Sequence, residues 1–221
     1  MIEIIPSILV DSKDRFEEKL RLVEKDAATV HVDILDNSLF PHATWFDAKE
    51  VAAMRSSVDF ELHLMVENPI PIVEEWKQYV HGLRRAIVTA EMERPTGTVV
   101  GHIRDHLHLE AGVAINPATP LHEIEEVLHT IDALTVMGVH PGSSGQEFEG
   151  DYILRKIEQA KKHRPDVPIE IDGGVTQDLL ESLVQAGATR ICTASLIFNS
   201  KDPTAALTKL KNQVSTFGQS M

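Results

Sequence analysis

Ile169-Glu170-Ile171-Asp172-Gly173-Gly174 is a short apolar run that closes on a carboxylate and two glycines. Gln177–Ala186 follows, and its Leu179, Leu180, Leu183 and Val184 keep the spacing of a helix face. Another apolar run opens at Thr189. Strand, helix and strand fit within the roughly 30 residues of one β-α-β unit. The same alternation extends outward in both directions. Apolar runs begin at Ile2–Leu9, Thr29–Leu35, Asp59–Val66, Arg85–Ala90, Glu110–Asn116, Ala133–Val139, Pro168–Asp172 and Thr189–Phe198, with amphipathic stretches such as Asp14–Lys25 and Tyr152–His163 between them. Strict alternation argues for a parallel sheet, and eight units in 221 residues predict an α/β chain folded as a single (β/α)8 TIM barrel, one domain over 1–221. A doubly wound open sheet is the alternative. The absence of G-x-G-x-x-G after the first run weakens it.

Composition sets the remaining bounds. Hydrophobic residues make up 43% of the chain and aromatics 5%, so the core must be mainly aliphatic. The formal net charge of −13 speaks against nucleic acid and anionic membranes as partners. An anionic substrate would then need a local site of N–H groups or a metal ion. Cys192 is the single cysteine, which excludes an internal disulfide and suits a reducing cytoplasm. The opening MIEIIPSILV lacks a basic segment and reads as a strand and not a signal peptide. No apolar run approaches the roughly 18 residues of a membrane span.

In such a barrel the active site lies at the C-terminal ends of the strands. Val30-His31-Val32-Asp33-Ile34-Leu35-Asp36 alternates, so His31 and Asp33 share a face. Glu61-Leu62-His63-Leu64-Met65-Val66 places His63 among apolar neighbours, and Asp172 ends its strand. A lone strand histidine is most often a hydrogen-bonded core residue, and Asp36 and Asp47 suit caps or turns. Taken together at one mouth, His31, Asp33, His63 and Asp172 suit a divalent transition metal, with positions left open for substrate oxygens. Glycine-rich turns follow the sixth and seventh strands, at His140-Pro141-Gly142-Ser143-Ser144-Gly145-Gln146 and Gly173-Gly174, and Ala194-Ser195 follows the buried part of the eighth. Loops here commonly cradle phosphate through converging N–H groups.

At these residues the chain resembles the ribulose-phosphate 3-epimerase family. The matching segments are Pro6-Ser7-Ile8-Leu9, His31-Val32-Asp33, His63-Leu64-Met65-Val66-Glu67-Asn68-Pro69 and Asn116-Pro117-Ala118-Thr119-Pro120-Leu121. They continue through Met137-Gly138-Val139-His140-Pro141-Gly142, Gly145-Gln146, Ile171-Asp172-Gly173-Gly174 and Ala194-Ser195-Leu196-Ile197-Phe198. The resemblance implies one divalent ion (zinc, iron(II), manganese or cobalt) on His31, Asp33, His63 and Asp172, with Asp33 and Asp172 as the acid/base pair. It implies that Ser7 and His63 touch substrate, that Met65 and Met137 cover it, and that Gly142, Ser143, Ser144, Gly145, Gly173, Gly174, Ala194 and Ser195 line the phosphate site. A homo-oligomer acting in the cytoplasm on a small phosphorylated ketose is expected. The implied reaction interconverts D-ribulose 5-phosphate and D-xylulose 5-phosphate through an enediolate. Such a species needs an electrophile beside it, and inversion needs an acid and a base on opposite faces.

The chain departs from the family pattern at Asn37–His42, at Leu35 in place of a methionine, at Thr89 in place of a histidine, at Ser143-Ser144 and at Ala194 in place of glycine. No departure removes a proposed metal ligand or either carboxylate, so they bear on substrate choice. The alternatives are a 3-epimerase of a hexulose phosphate such as D-allulose 6-phosphate and a barrel that binds a phosphosugar without turning it over. Barrel decarboxylases and aldolases would ordinarily carry a lysine at a strand end, and none stands there. Cys192 reads as a small buried hydrophobe. His42, His81, His102, His106, His108, His122, His129 and His163 read as surface residues, and His140 lies in a loop from which it could reach substrate.

Overall fold

The computed structural model describes residues 2–142 and 145–217. Ser143 and Ser144, assigned above to the phosphate site, lie outside the described residues. Eight strands, β1 (Glu3–Ile8), β2 (Thr29–Ile34), β3 (Asp59–Leu64), β4 (Leu83–Thr89), β5 (Glu110–Ile115), β6 (Ala133–Met137), β7 (Ile169–Asp172) and β8 (Arg190–Thr193), pair in sequence order, and β8 closes on β1. Every pairing is parallel. The expected barrel is therefore the observed one. The helices in chain order are α1 (Lys13–Val23), α2 (Ala48–Ala53), α3 (Ile70–Tyr79), α4 (Thr96–Gly101), α5 (Glu125–Leu128), α6 (Asp151–His163), α7 (Leu180–Ala186), α8 (Ser195–Phe198) and α9 (Pro203–Phe217).

Each helix buries one stripe on the barrel. In α1, Phe16, Leu20 and Val23 are buried at helical spacing, while Arg21 faces out and pairs with Glu17 and Glu24. In α6, Ile153, Ile157 and Ala160 form the stripe. Asp47 starts α2 by accepting from the Glu50 N–H at 2.9 Å. Gly187 ends α7 in the left-handed region. The last apolar run, Thr189–Phe198, is strand only as far as Thr193. Thr193 Oγ1 accepts from the Leu196 N–H and the Ala194 carbonyl from Ile197 and Phe198, so the chain turns into α8.

The hydrophobic core lies outside the strands. Ile4, Val32, Leu62, Val88, Val113, Val136, Ile171 and Ile191 project from the barrel onto Phe16, Leu20, Val73, Trp76, Ile153 and Leu183. Full burial of each such aliphatic side chain is worth about 1.5–3 kcal/mol. The alternate strand positions point inward and are largely polar. Ser7, His31, Asp33, Glu61, His63, Arg85, Thr135, Glu170, Asp172 and Arg190 are all buried there. A packed helical shell thus carries a barrel interior filled by charge and hydrogen bonds. Polar groups buried this way must satisfy one another, which is costly unless their geometry is closely matched.

Candidate active site

Strand register assembles the upper tier. Across β2 and β3, Asp33 stands beside His63 and His31 beside Glu61. Ser7 pairs with His31, and Met137 with Asp172. The side chains of His31, Asp33, His63 and Asp172 converge, with one donor atom from each lying within 4.8 Å of all the others. His63 Nδ1 is 3.2 Å from Asp33 Oδ1 and 3.5 Å from Asp172 Oδ2. His31 Nε2 is 3.4 Å from Asp33 Oδ1 and 4.0 Å from Asp172 Oδ2. Ser7 Oγ donates to the other oxygen of Asp33 at 2.6 Å. All five residues are buried.

The electrostatics of this tier follow from burial opposed by close partners. Burial disfavours charge on Asp33, yet the close His31 and His63 imidazoles win and hold its carboxyl far below the usual range. Burial likewise opposes the His63 imidazolium, but Asp172 and Asp33 push its pKa up to about 9. Burial also acts against charge on His31, and Cys192, Asp33 and Glu61 overcome it to raise its pKa well above the ordinary value. The buried Nε2 of His31 has no hydrogen-bond partner among the described residues, and the same holds for His63 Nε2. A buried nitrogen lacking a partner, aimed at two carboxylates and a second imidazole, fits the coordination of a divalent ion by N and O donors.

Above the tier opens a cleft. Its walls bring together Ser7, Asp33, Met65, Met137 and Asp172 with Gly142, Gly145, Gly173, Gly174, Ala194 and Ser195. The sequence-derived substrate residues among those described thus border one space with the two aspartates, except that His63 lies in the floor behind Asp33. Gly173 and Gly174 both take positive φ, at 91° and 68°. A Cβ on Gly174 would sit 2.7 Å from Phe148 Cα, so only glycine lets the loop after β7 pass so close to the loop after β6. Thr89 does not line the cleft; it is buried and its hydroxyl donates to Glu91. Leu35 is fully buried. His140 is exposed beside Glu149, and none of the eight histidines read as surface residues is buried. Asp36 serves a turn, accepting from the Ser38 N–H at 2.9 Å.

One tier lower stand residues that sequence reasoning missed. Glu61 accepts from His31 Nδ1 at 2.9 Å and from Arg85 at 2.9 Å. Arg190 donates to Glu170 at 3.0 Å and also to Glu61 and Glu3. Thr135 donates to Glu170 at 3.0 Å. Burial would raise the Glu61 pKa, but His31 and Arg190 lower it to about 2. The signal was present in the chain: Glu61 and Glu170 precede His63 and Asp172 by two residues, so they share the inward face. Cys192 is buried as expected, and its Sγ lies 3.4 Å from His31 Nδ1.

Residues 3–198 match the sequence model of the ribulose-phosphate 3 epimerase family. The chain belongs to that family. Among curated members, the ribulose-phosphate 3-epimerase of Bacillus subtilis (strain 168) is 29% identical, over 96% of this chain and 99% of its own. Ribulose-phosphate 3-epimerase 1 of Cupriavidus necator is 32% identical, over 91% of this chain and 86% of its own. Among solved structures, KGPDC from Streptococcus mutans superposes with a TM-score of 0.74 at 11% identity, covering 98% of this chain and 99% of that one. The 3-hexulose-6-phosphate synthase of Salmonella typhimurium gives 0.71 at 11% identity, covering 98% and 100%. These two likenesses show the shared barrel. The epimerase family is carried by the sequence match.

Proposed function

We propose that this chain is a metal-dependent 3-epimerase that interconverts D-ribulose 5-phosphate and D-xylulose 5-phosphate. The observation that carries the reading is the convergence of His31, Asp33, His63 and Asp172 at the floor of a cleft whose rim is built of glycine-rich loops. In this reading one domain over 1–221 acts on a small phosphorylated ketose, in the cytoplasm and as a homo-oligomer. No helix among the described residues is long and apolar enough to cross a membrane. His31, Asp33, His63 and Asp172 hold one divalent ion, either zinc, iron(II), manganese or cobalt. When bound, the ion supplies positive charge where the enediolate develops negative charge.

The chain's own residues do the rest. Asp33 is kept as a carboxylate by its histidine partners and by the Ser7 hydroxyl, so it is ready to take the C3 proton. Asp172 reaches the same cleft from β7, with its Oδ2 3.5 Å from His63 Nδ1, and in this reading returns a proton to the opposite face of the substrate. The apolar walls Met65, Met137, Val139 and Val175 keep water from the planar intermediate. Gly142, Gly145, Gly173, Gly174, Ala194 and Ser195 take the phosphate.

The test is to strip the protein with chelator, restore each of the four metals singly, and follow D-ribulose 5-phosphate and D-allulose 6-phosphate by NMR. Turnover of the pentulose with at least one metal supports the reading. Turnover of the hexulose alone moves the assignment to a hexulose-phosphate epimerase. Binding of either sugar without turnover contradicts the enzyme.

A further inference from the structure

We propose that Glu61, clamped by Arg85 and Arg190, is a positioning residue that fixes the tautomer of His31 and so aims its Nε2 at the metal centre. The inference rests on the metal reading above and extends it to a tier that takes no part in substrate contact. Among the described residues, His31 is the side chain common to the two clusters of possible metal ligands, His31-Asp33-His63-Asp172 and His31-Glu61-Glu170-Cys192. Its Nε2 faces Asp33 and Asp172, while its Nδ1 faces down onto Glu61 Oε1 at 2.9 Å. The other groups near Nδ1 stand further off, Cys192 Sγ at 3.4 Å and Glu170 Oε1 at 3.6 Å. A neutral imidazole has one N–H and one lone pair. With a carboxylate oxygen at Nδ1, the proton sits there and the lone pair is presented at Nε2, the orientation a metal ligand needs.

What makes Glu61 more than a neighbour is the saturation of its second oxygen. Arg85 Nη1 donates to Oε2 at 2.9 Å, and Arg190 Nη2 donates to the same atom. Two guanidinium donors on Oε2 leave Oε1 to His31 at 2.9 Å, with the Cys192 thiol as a second, longer contact at 3.9 Å. Arg190 is held in turn by Glu170 and Glu3, and Arg85 by Glu110. The carboxylate can neither rotate away nor leave without stranding buried arginine charge.

This clamp gives Glu61→Gln a specific consequence. The two arginines can be met only by an acceptor, so the amide oxygen must occupy the Oε2 position. The amide NH₂ then faces His31 Nδ1, which must accept, and the imidazole proton moves to Nε2, where it blocks coordination. Glu61→Asp keeps a carboxylate that can accept on both sides.

The experiment measures zinc affinity by chelator competition and zinc content per chain, and reads the His31 tautomer from the ¹⁵N shifts of ring-labelled, zinc-loaded protein. Wild type should bind one zinc per chain with the proton on Nδ1. Glu61→Gln should lose about 10–100-fold in affinity, with the proton on Nε2 in the metal-free neutral form, and Glu61→Asp should recover part of that loss. A wild-type Nδ1 without a proton overturns the proposal, whether or not the variants fold. So does a Glu61→Gln protein that folds and binds zinc as tightly as wild type. Two zinc ions per chain would make His31, Glu61, Glu170 and Cys192 a second metal site and also overturn it. Wild type that binds none of zinc, iron(II), manganese and cobalt removes the metal reading itself, an outcome distinct from tight metal binding that ignores Glu61.

Discussion

Arg190→Met should destabilise the fold severely, through charge and not through volume. Arg190 is buried and donates to three carboxylates, Glu3, Glu61 and Glu170. Its own pKa is raised, because burial opposes its charge but Glu170, Glu61 and Glu3 together outweigh it. Methionine fills much of the aliphatic stem and removes the guanidinium. Glu61 keeps Arg85, but Glu170, fully buried, keeps among the described residues just the Thr135 hydroxyl and a 3.6 Å approach of His31 Nδ1. Breaking one side of a buried ion pair costs about 3–5 kcal/mol. In a chain of this size each kcal/mol lowers Tm by about 2–4 °C, so the expected fall is about 6–20 °C. Thermal and urea unfolding of Arg190→Met, Glu170→Gln and the double variant measure it. The double variant should be less destabilised than the sum of the singles, by about 1–3 kcal/mol, because the second change removes the stranded carboxylate. A single variant within about 1 kcal/mol of wild type, or strictly additive singles, would refute the idea that matched buried charge holds the barrel interior together.

Gly174→Ala should cost about 2–5 kcal/mol, from left-handed strain plus the 2.7 Å approach to Phe148 Cα. Gly145→Ala has positive φ but nothing among the described residues within 4 Å of its Cβ, and should cost only the strain, about 1–2 kcal/mol. Equal losses on urea unfolding would count against the packing of these loops. Cys192 is fully buried and its thiol pKa is raised, chiefly by that burial, so iodoacetamide should leave it unmodified in native protein and alkylate it in urea. Rapid native labelling would mean that the interior opens. In metal-free protein His63 titrates near 9 against an ordinary 6.5. Its charged form therefore stabilises metal-free protein fully below pH 6.5, and that contribution is lost as pH rises through about 9. Zinc must displace this proton, so calorimetry at pH 7 in buffers of different ionisation enthalpy should show proton release, and zinc affinity should rise with pH toward 9. Binding without proton release would contradict the protonated site.

Period-two alternation in the sequence carried most of the architecture. It put His31 with Asp33 on one face, and eight apolar runs alternating with helical stretches favoured a closed parallel barrel over an open doubly wound sheet. The four upper-tier residues were legible because each is a metal-binding type at a strand end. The lower tier was less so, since Glu61, Arg85, Glu170 and Arg190 look like ordinary exposed charges until the closed barrel shows that they meet. Arg190 and Glu3 are far apart in sequence and adjacent only because β8 pairs with β1. The end of β8 at Thr193 was hidden for a local reason: Ser195–Phe198 is as apolar as a strand, yet its N–H groups turn back onto the Ala194 carbonyl and the Thr193 hydroxyl.

Asp33 and Asp172 as acid and base at C3 form the central claim, and exchange in heavy water tests it most directly. With wild-type, metal-loaded protein, deuterium should enter C3 of D-ribulose 5-phosphate as D-xylulose 5-phosphate appears. Metal-loaded Asp33→Asn and Asp172→Asn should each lose interconversion, because one face of the substrate has no proton carrier. Inversion without solvent deuterium, or either variant turning over near the wild-type rate, would contradict the assignment.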